Sequence, residues 1–145
     1  MVSDAPLGVF LSGGLDSSIL SSLAAKNISG KLKTYSVGFK EKKYDETYKA
    51  RTIAKYINSE HTEVFVGKED FFNNIEKIIE VKDVPLSIPH EYPLYLLSKK
   101  MKQDIKVVLS GEGADEFFGG YARVQTSPID FVKAKKIDCS RLEKA

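Results

Sequence analysis

The stretch Ser12-Gly13-Gly14-Leu15-Asp16-Ser17-Ser18 constrains this chain more than any other. It follows the apolar run Val9-Phe10-Leu11 and precedes an apolar, helix-like run from Ile19 to Ala25. A strand, a turn of glycines and hydroxyls, and a helix start are together what a phosphate oxyanion needs. Glycines let backbone N–H groups come close, hydroxyls add donors, and a helix N-terminus adds positive potential. No Lys followed by Ser or Thr closes the loop after a four-residue gap, so the loop is not of the Walker type. The pattern points to a grip on pyrophosphate rather than γ-phosphate transfer. An ordinary Ser- or Asp-capped helix after a strand is the plainer alternative for the same residues.

With 145 residues the chain has the length of one domain and can bury a real core. A net charge of +2, from 22 basic and 20 acidic residues with the lysines dispersed, argues against nucleic-acid or membrane partners. No apolar run approaches the roughly 20 residues of a membrane span. Met1-Val2-Ser3-Asp4 leads straight into the first expected strand, so no signal peptide is expected. The single cysteine, Cys139, excludes an internal disulfide framework and suits a reducing, cytoplasmic setting. It stands in a polar tail without a nearby histidine and reads as incidental.

Strand-like and helix-like segments alternate. Strands are expected at Val9–Leu11, Lys33–Phe39, His61–Val66 and Ile105–Leu109, the last an unbroken apolar run of the kind found inside parallel sheets. Helices are expected at Asp16–Lys26, Tyr44–Ile57, Glu69–Glu80 and Pro93–Lys102, with Pro93 in the first turn. Tyr48, Ala50, Ile53, Ala54 and Ile57 mark the apolar positions of the second helix. Phe71, Phe72, Ile75, Ile78 and Ile79 mark the core face of the third. Lys82–Tyr92, with Pro85 and Pro89, reads as a loop. This alternation predicts an α/β fold: a doubly wound, mostly parallel sheet with helices on both faces. Residues 1–125 form the expected core domain, and residues 126–145 a polar, lysine-rich tail.

A second loop of the same character, Ser110-Gly111-Glu112-Gly113-Ala114-Asp115-Glu116, again follows a buried strand. Two such loops at the carboxyl edge of one sheet would face a single crevice, where open α/β sheets bind ligands. Asp16 and Asp115 could both reach a Mg²⁺ carried by ATP phosphates, since that ion takes one or two carboxylates plus phosphate oxygens and water. Glu112, Asp115 and Glu116 repel one another unless a cation or helix N-terminus is near. An acidic first turn without a ligand is the alternative.

These residues carry a resemblance. Ser12–Ser18 resembles the pyrophosphate-loop signature of the N-type ATP pyrophosphatases, a group with adenine nucleotide alpha hydrolase-like folds. Val108 through Tyr121 closely resembles the second signature of one branch, the asparagine synthetases. Tyr35-Ser36-Val37-Gly38-Phe39, Tyr44-Asp45-Glu46, Glu60-His61 and Pro93 through Lys99 fit as well, so the match spans about residues 5 to 125. The first signature alone also admits GMP synthetase or tRNA-modifying relatives. The resemblance implies a synthetase domain that binds Mg²⁺ and ATP, adenylates a carboxylate with loss of pyrophosphate, and lets ammonia displace AMP. It implies that Ser12, Gly13, Gly14 and Ser17 bind pyrophosphate and that Asp16 and Asp115 serve the metal. It implies that main chain at Phe10 or Leu11, Val37, Ser110 and Gly111 receives the nucleotide. It implies that Glu112 assists intermediate formation and ammonia attack; as a base it would need burial to raise its pKa.

Aspartate is the first acceptor to consider, with another carboxylate, such as a surface-polysaccharide precursor, as the alternative. Asp83 through Pro93 resembles a proline-rich variant found in bacterial members, and its His90 and Glu91 are open candidates for the acceptor. Glutamine-dependent members carry an N-terminal glutaminase domain, which would be the partner in a full-length protein. Family members also continue past the second signature and there supply a phosphate-facing lysine; Lys133, Lys135, Lys136 and Lys144 are not obvious replacements. A fragment is therefore expected, and a nucleotide-binding module without catalysis stays open. Apolar surface left uncovered could also pair two copies, so a homodimer is a further open expectation. His61, behind the crevice, reads as structural. Asp45 and Glu46, in the segment that overlies the nucleotide in the family, stay open.

Overall fold

The computed structural model describes residues 3–121. The expectations placed on the tail, Cys139 included, lie outside them, as does the expected domain end at 125. The chain divides into two units, Met1–Gly111 and Glu112–Ala145. In the first unit the order is β1 (Leu7–Phe10), α1 (Leu15–Lys26), β2 (Lys33–Phe39), α2 (Thr47–Tyr56), β3 (Glu60–Val66), α3 (Lys68–Lys82), α4 (Glu91–Met101) and β4 (Val107–Leu109).

All strand pairs are parallel, in the order β3-β2-β1-β4. The chain thus walks outward from β1 to β3, then returns to the other side of β1. Crossovers between parallel strands keep one hand, so the outward and return paths lay their helices on opposite faces. The alternating side chains bear this out. Val9 packs with Ala24 of α1, and Leu11 with Ala50 and Ala54 of α2. Tyr35, Phe10, Val37 and Val64 meet Leu97 and Met101 of α4, and Val66 meets Ile78 of α3 and Tyr92 of α4. The expected doubly wound arrangement is the one observed.

Element ends differ from expectation for local reasons. α2 begins at Thr47 rather than Tyr44 because Asp45 closes its start: the carboxylate accepts from the Thr47 amide at 3.3 Å and its hydroxyl at 3.0 Å. α4 begins at Glu91, two residues before Pro93. Its first bond runs from the Leu94 amide to the His90 carbonyl at 3.2 Å, so the N–H that proline lacks has no helical partner to lose. α3 runs on to Lys82 and ends where Asp83 takes a left-handed conformation, φ 56°. Ile105 belongs to the turn after α4, its amide bonded to the Met101 carbonyl, which shortens β4.

Burial expectations are corrected on the third helix and the fourth strand. On α3 the 3.6-residue period turns Phe71 and Ile78 inward and leaves Phe72 and Ile79 exposed. On α2 it buries Ala50 and Ala54 and turns Tyr48 outward. β4 borders only β1 among the described residues, so Val107 and Val108 stay partly exposed rather than lying inside the sheet. α1 buries the small residues Ser17, Ser21 and Ala24 and exposes Leu15, Ile19 and Leu23. Small side chains on its inner face bring the helix close to the sheet.

In the second unit, α5 (Ala114–Phe118) is a short helix bracketed by left-handed glycines, Gly113 at φ 90° and Gly119 at φ 67°. Tyr121 donates to the Glu116 carboxylate at 2.7 Å, and this bond holds the Glu116 pKa below its ordinary range.

Candidate functional site

The sheet reverses its winding at β1 and β4, whose register sets Val9 beside Leu109. The loops leaving these two strands therefore start side by side at the carboxyl edge, where a switch in winding opens a crevice. From β1 the chain turns through Ser12, Gly13 and Gly14 into α1. Gly14 is the N-cap, and no side chain caps the helix. The hydroxyls instead brace the loop from within. Ser17 Oγ accepts from the Ser12 amide at 3.2 Å and donates to the Gly14 carbonyl; Ser12 Oγ accepts from the Gly14 amide at 3.2 Å. Ser17 is buried, so what the turn presents outward is backbone N–H groups of the first helical turn rather than its hydroxyl.

The glycines have separable reasons. Gly13 sits at φ +81°, and a Cβ there would fall within 2.6 Å of Lys49 Cβ and the Ala50 amide nitrogen. The loop is thus pressed against α2. Gly14 has ordinary extended backbone, φ −70°. A Cβ on Gly111 would stand 3.3 Å from the Ser17 amide nitrogen and 3.4 Å from Asp16 Cβ. The backbone after β4 therefore lies against the first turn of α1. Ser12, Gly13, Gly14, Asp16, Ser17 and Gly111 come together, with Ser110 preceding Gly111 at the exposed rim. Asp16 is exposed in that turn and makes no hydrogen bond or ion pair among the described residues.

Beside the loop opens a cleft of about 350 Å³, within the usual range of small-molecule sites. Phe10 at the end of β1, Leu11 and Ser12 just after it, and Val37 on β2 line it. Ser36 on β2, and Thr47 and Ala50 on α2, also line it. Sequence reasoning missed the contribution of α2; the small residues Thr47 and Ala50 on its inner face were the available signal.

Behind the cleft lies a polar layer. His61 bonds Thr34 Oγ1 at 2.9 Å through Nδ1 and Ser36 Oγ at 3.1 Å through Nε2. Arg51 reaches the Glu63 carboxylate with two bonds, at 3.1 and 2.8 Å. Burial, opposed by the nearby Glu63 charge, pushes the His61 pKa below its ordinary value. An unfolded chain therefore takes up this proton before the folded one does. The contribution of His61 to stability is complete above about pH 6.5 and is lost as pH falls through the lowered folded value. A denaturation midpoint that drops between pH 7 and 5, and drops less in His61→Gln, is the expected result.

Other candidates have structural occupations. Glu91 accepts from Lys82 at 2.6 Å and from the Ser87 hydroxyl at 2.8 Å, and these bonds, Lys82 first, hold its pKa low. It closes the 83–90 loop. His90 is exposed at the N-cap of α4. Asp45 accepts from Thr47 at the start of α2, whereas Glu46, the N-cap of α2, pairs with Lys49 at 2.6 Å and also lines the cleft. In the second unit, Glu112 and Asp115 are exposed, Asp115 in the first turn of α5.

Among the described residues no cluster of three or more His, Cys, Asp or Glu side chains could hold a metal. No helix among the described residues is long and apolar enough to cross a membrane.

The family model described as Asparagine synthase matches residues 1–144. Glutamine-hydrolyzing asparagine synthetase 1 of Bacillus subtilis (strain 168) is 44% identical over 94% of this chain, which covers 21% of that protein. The glutamine-hydrolyzing asparagine synthetase of Zea mays is 34% identical over the whole chain and is covered to 28%. The chain thus spans between a fifth and a third of the length of these curated relatives. A solved NMN synthetase from Francisella tularensis shares the fold, with a TM-score of 0.52 at 15% identity, over 83% of this chain and 52% of the other.

Proposed function

Since the chain belongs to the asparagine synthase family, we propose that it is the nucleotide-binding part of a synthetase that adenylates a carboxylate and converts it to an amide with ammonia. The observation that supports this most is the juncture of Gly111 with the first turn of α1, directly beside the cleft lined by Phe10, Leu11 and Val37. In this reading the cleft takes the adenosine, and the uncapped amides after Gly14 take the pyrophosphate end of ATP. Polar main chain at Phe10 or Leu11, Val37, Ser110 and Gly111 fixes the nucleotide. Asp16 would help to hold Mg²⁺, which when bound offsets charge on the phosphate oxygens.

Glu112 accepts a proton from the attacking ammonia. Aspartate is the proposed acceptor, with another carboxylate as the competing assignment, and a glutaminase domain in the full-length protein would deliver ammonia. Carboxylate-dependent release of pyrophosphate by the full-length protein tests this. Release with aspartate supports asparagine formation; release only with a different carboxylate redirects the acceptor; no release with any carboxylate removes the adenylation reading. Glu112→Gln is expected to keep ATP binding and slow amide formation by roughly 10²–10⁴-fold. Turnover at the wild-type rate would remove Glu112 as the base.

A further inference from the structure

His61 stands on β3 directly across from Thr34 on β2, and its ring touches hydroxyls on both sides. One direction satisfies every bond around it. Ser59 Oγ donates to the Ala54 carbonyl of α2 at 3.4 Å, so it accepts from Thr34 Oγ1, 2.8 Å away. With its proton spent on Ser59, Thr34 Oγ1 accepts from His61 Nδ1. His61 Nε2 is then the acceptor for the Ser36 hydroxyl. Reversing the chain would leave the buried Ser36 proton without an acceptor among these bonds, at a cost of about 1–3 kcal/mol. The direction demands the proton on Nδ1, the less common tautomer of a free imidazole. The ends of the chain matter: Ser36 lines the cleft from β2, while Ala54 belongs to α2, whose Thr47 and Ala50 line it from the other side.

We propose that His61 is a positioning residue for the cleft: neutral, with its proton on Nδ1, it ties the β2 wall at Ser36 to the α2 wall through one directed chain of hydrogen bonds. Its role in binding rests on the nucleotide reading of the cleft; the tie itself does not. A second proton must enter at Nε2. That turns the acceptor of Ser36 into a donor and reverses the link at the cleft end. Glu63 on β3, 3.7 Å from Nε2, favours this charge, whereas Arg51 on α2, which already holds Glu63, opposes it. β2 offers the hydroxyls of Thr34 and Ser36, and a backbone hydrogen bond at Thr34 also favours the charge. Acid therefore reverses the link at the cleft end and sends the Ser36 hydroxyl proton in search of another acceptor there.

The test is long-range ¹H–¹⁵N NMR of the imidazoles in the whole chain. Only two histidines are present, and His90→Gln assigns the signals. At pH 8 His61 is expected to show a protonated Nδ1 and a bare Nε2, and to titrate below 6.5. The backbone amides of Val37 and Ala50 should move with that same midpoint, and the movement should vanish in His61→Gln. Ser36→Ala, which removes only the cleft-end donor, should release the tautomer preference and serves if His61→Gln does not fold. A proton on Nε2 in the wild type, or amides that ignore the His61 midpoint, overturns the proposal. If ATP binds, its affinity should fall by roughly tenfold more in the wild type than in His61→Gln for each pH unit below the His61 midpoint seen by NMR; equal falls would overturn the role in binding. Failure of ATP to bind at any pH would count against the nucleotide reading alone, and the tautomer and amide results would still decide the tie.

Discussion

Gly13→Ala is expected to destabilise the first unit by about 2–6 kcal/mol. The left-handed backbone at φ +81° costs an L side chain roughly 1–3 kcal/mol of strain. The new methyl must also displace backbone at Lys49 and Ala50, which cannot swing aside as a side-chain tip can, for about another 1–3 kcal/mol. Gly14→Ala makes a sharp contrast. Its backbone is ordinary, and the nearest obstacle is the rotatable Ser12 hydroxyl at 3.3 Å. That substitution should shift stability by less than about 1 kcal/mol, with its effect confined to the approach of an anion. Urea denaturation of the two variants checks both. A Gly13→Ala midpoint equal to wild type would mean that the loop is not clamped against α2.

Asp16→Ala is expected to weaken Mg²⁺-dependent ATP binding by about ten- to a hundredfold while the fold survives. The carboxylate is exposed and holds no partner among the described residues, so its removal opens no cavity. Loss of a first-turn acid costs α1 about 0.3–1 kcal/mol. A charged contact to a metal-bound phosphate is worth more, roughly 1.5–3 kcal/mol, and so binding rather than stability carries the signature. Calorimetric titration of the variant with ATP, with and without Mg²⁺, reads this directly. Unchanged affinity would remove Asp16 from the metal.

Much of the architecture was legible because parallel strands buried on both faces read as apolar runs, and helices as 3.6-residue stripes. Which side of a stripe faces inward was less so. Phe72, Ile79 and Tyr48 are as apolar or aromatic as their buried neighbours, and only packing against the sheet decides among them. α1 is the sharper case, since its inner face is built from Ser17, Ser21 and Ala24. The turn from β1 into α1 was legible from its glycines and hydroxyls. Its clamp was not, because the reason for Gly13 is the approach of Lys49 and Ala50, far along the chain. The His61 chain depends on the register of β2 against β3, which pairs Thr34 with His61, and residue types do not state a register.

The central claim is that the turn after β1 and the cleft beside it form one nucleotide site. Calorimetric titration of this chain with ATP, in the presence and absence of Mg²⁺, tests it most directly. Saturable binding that strengthens with Mg²⁺ and is competed by pyrophosphate is the predicted result. A folded sample that takes up no ATP under either condition would contradict it.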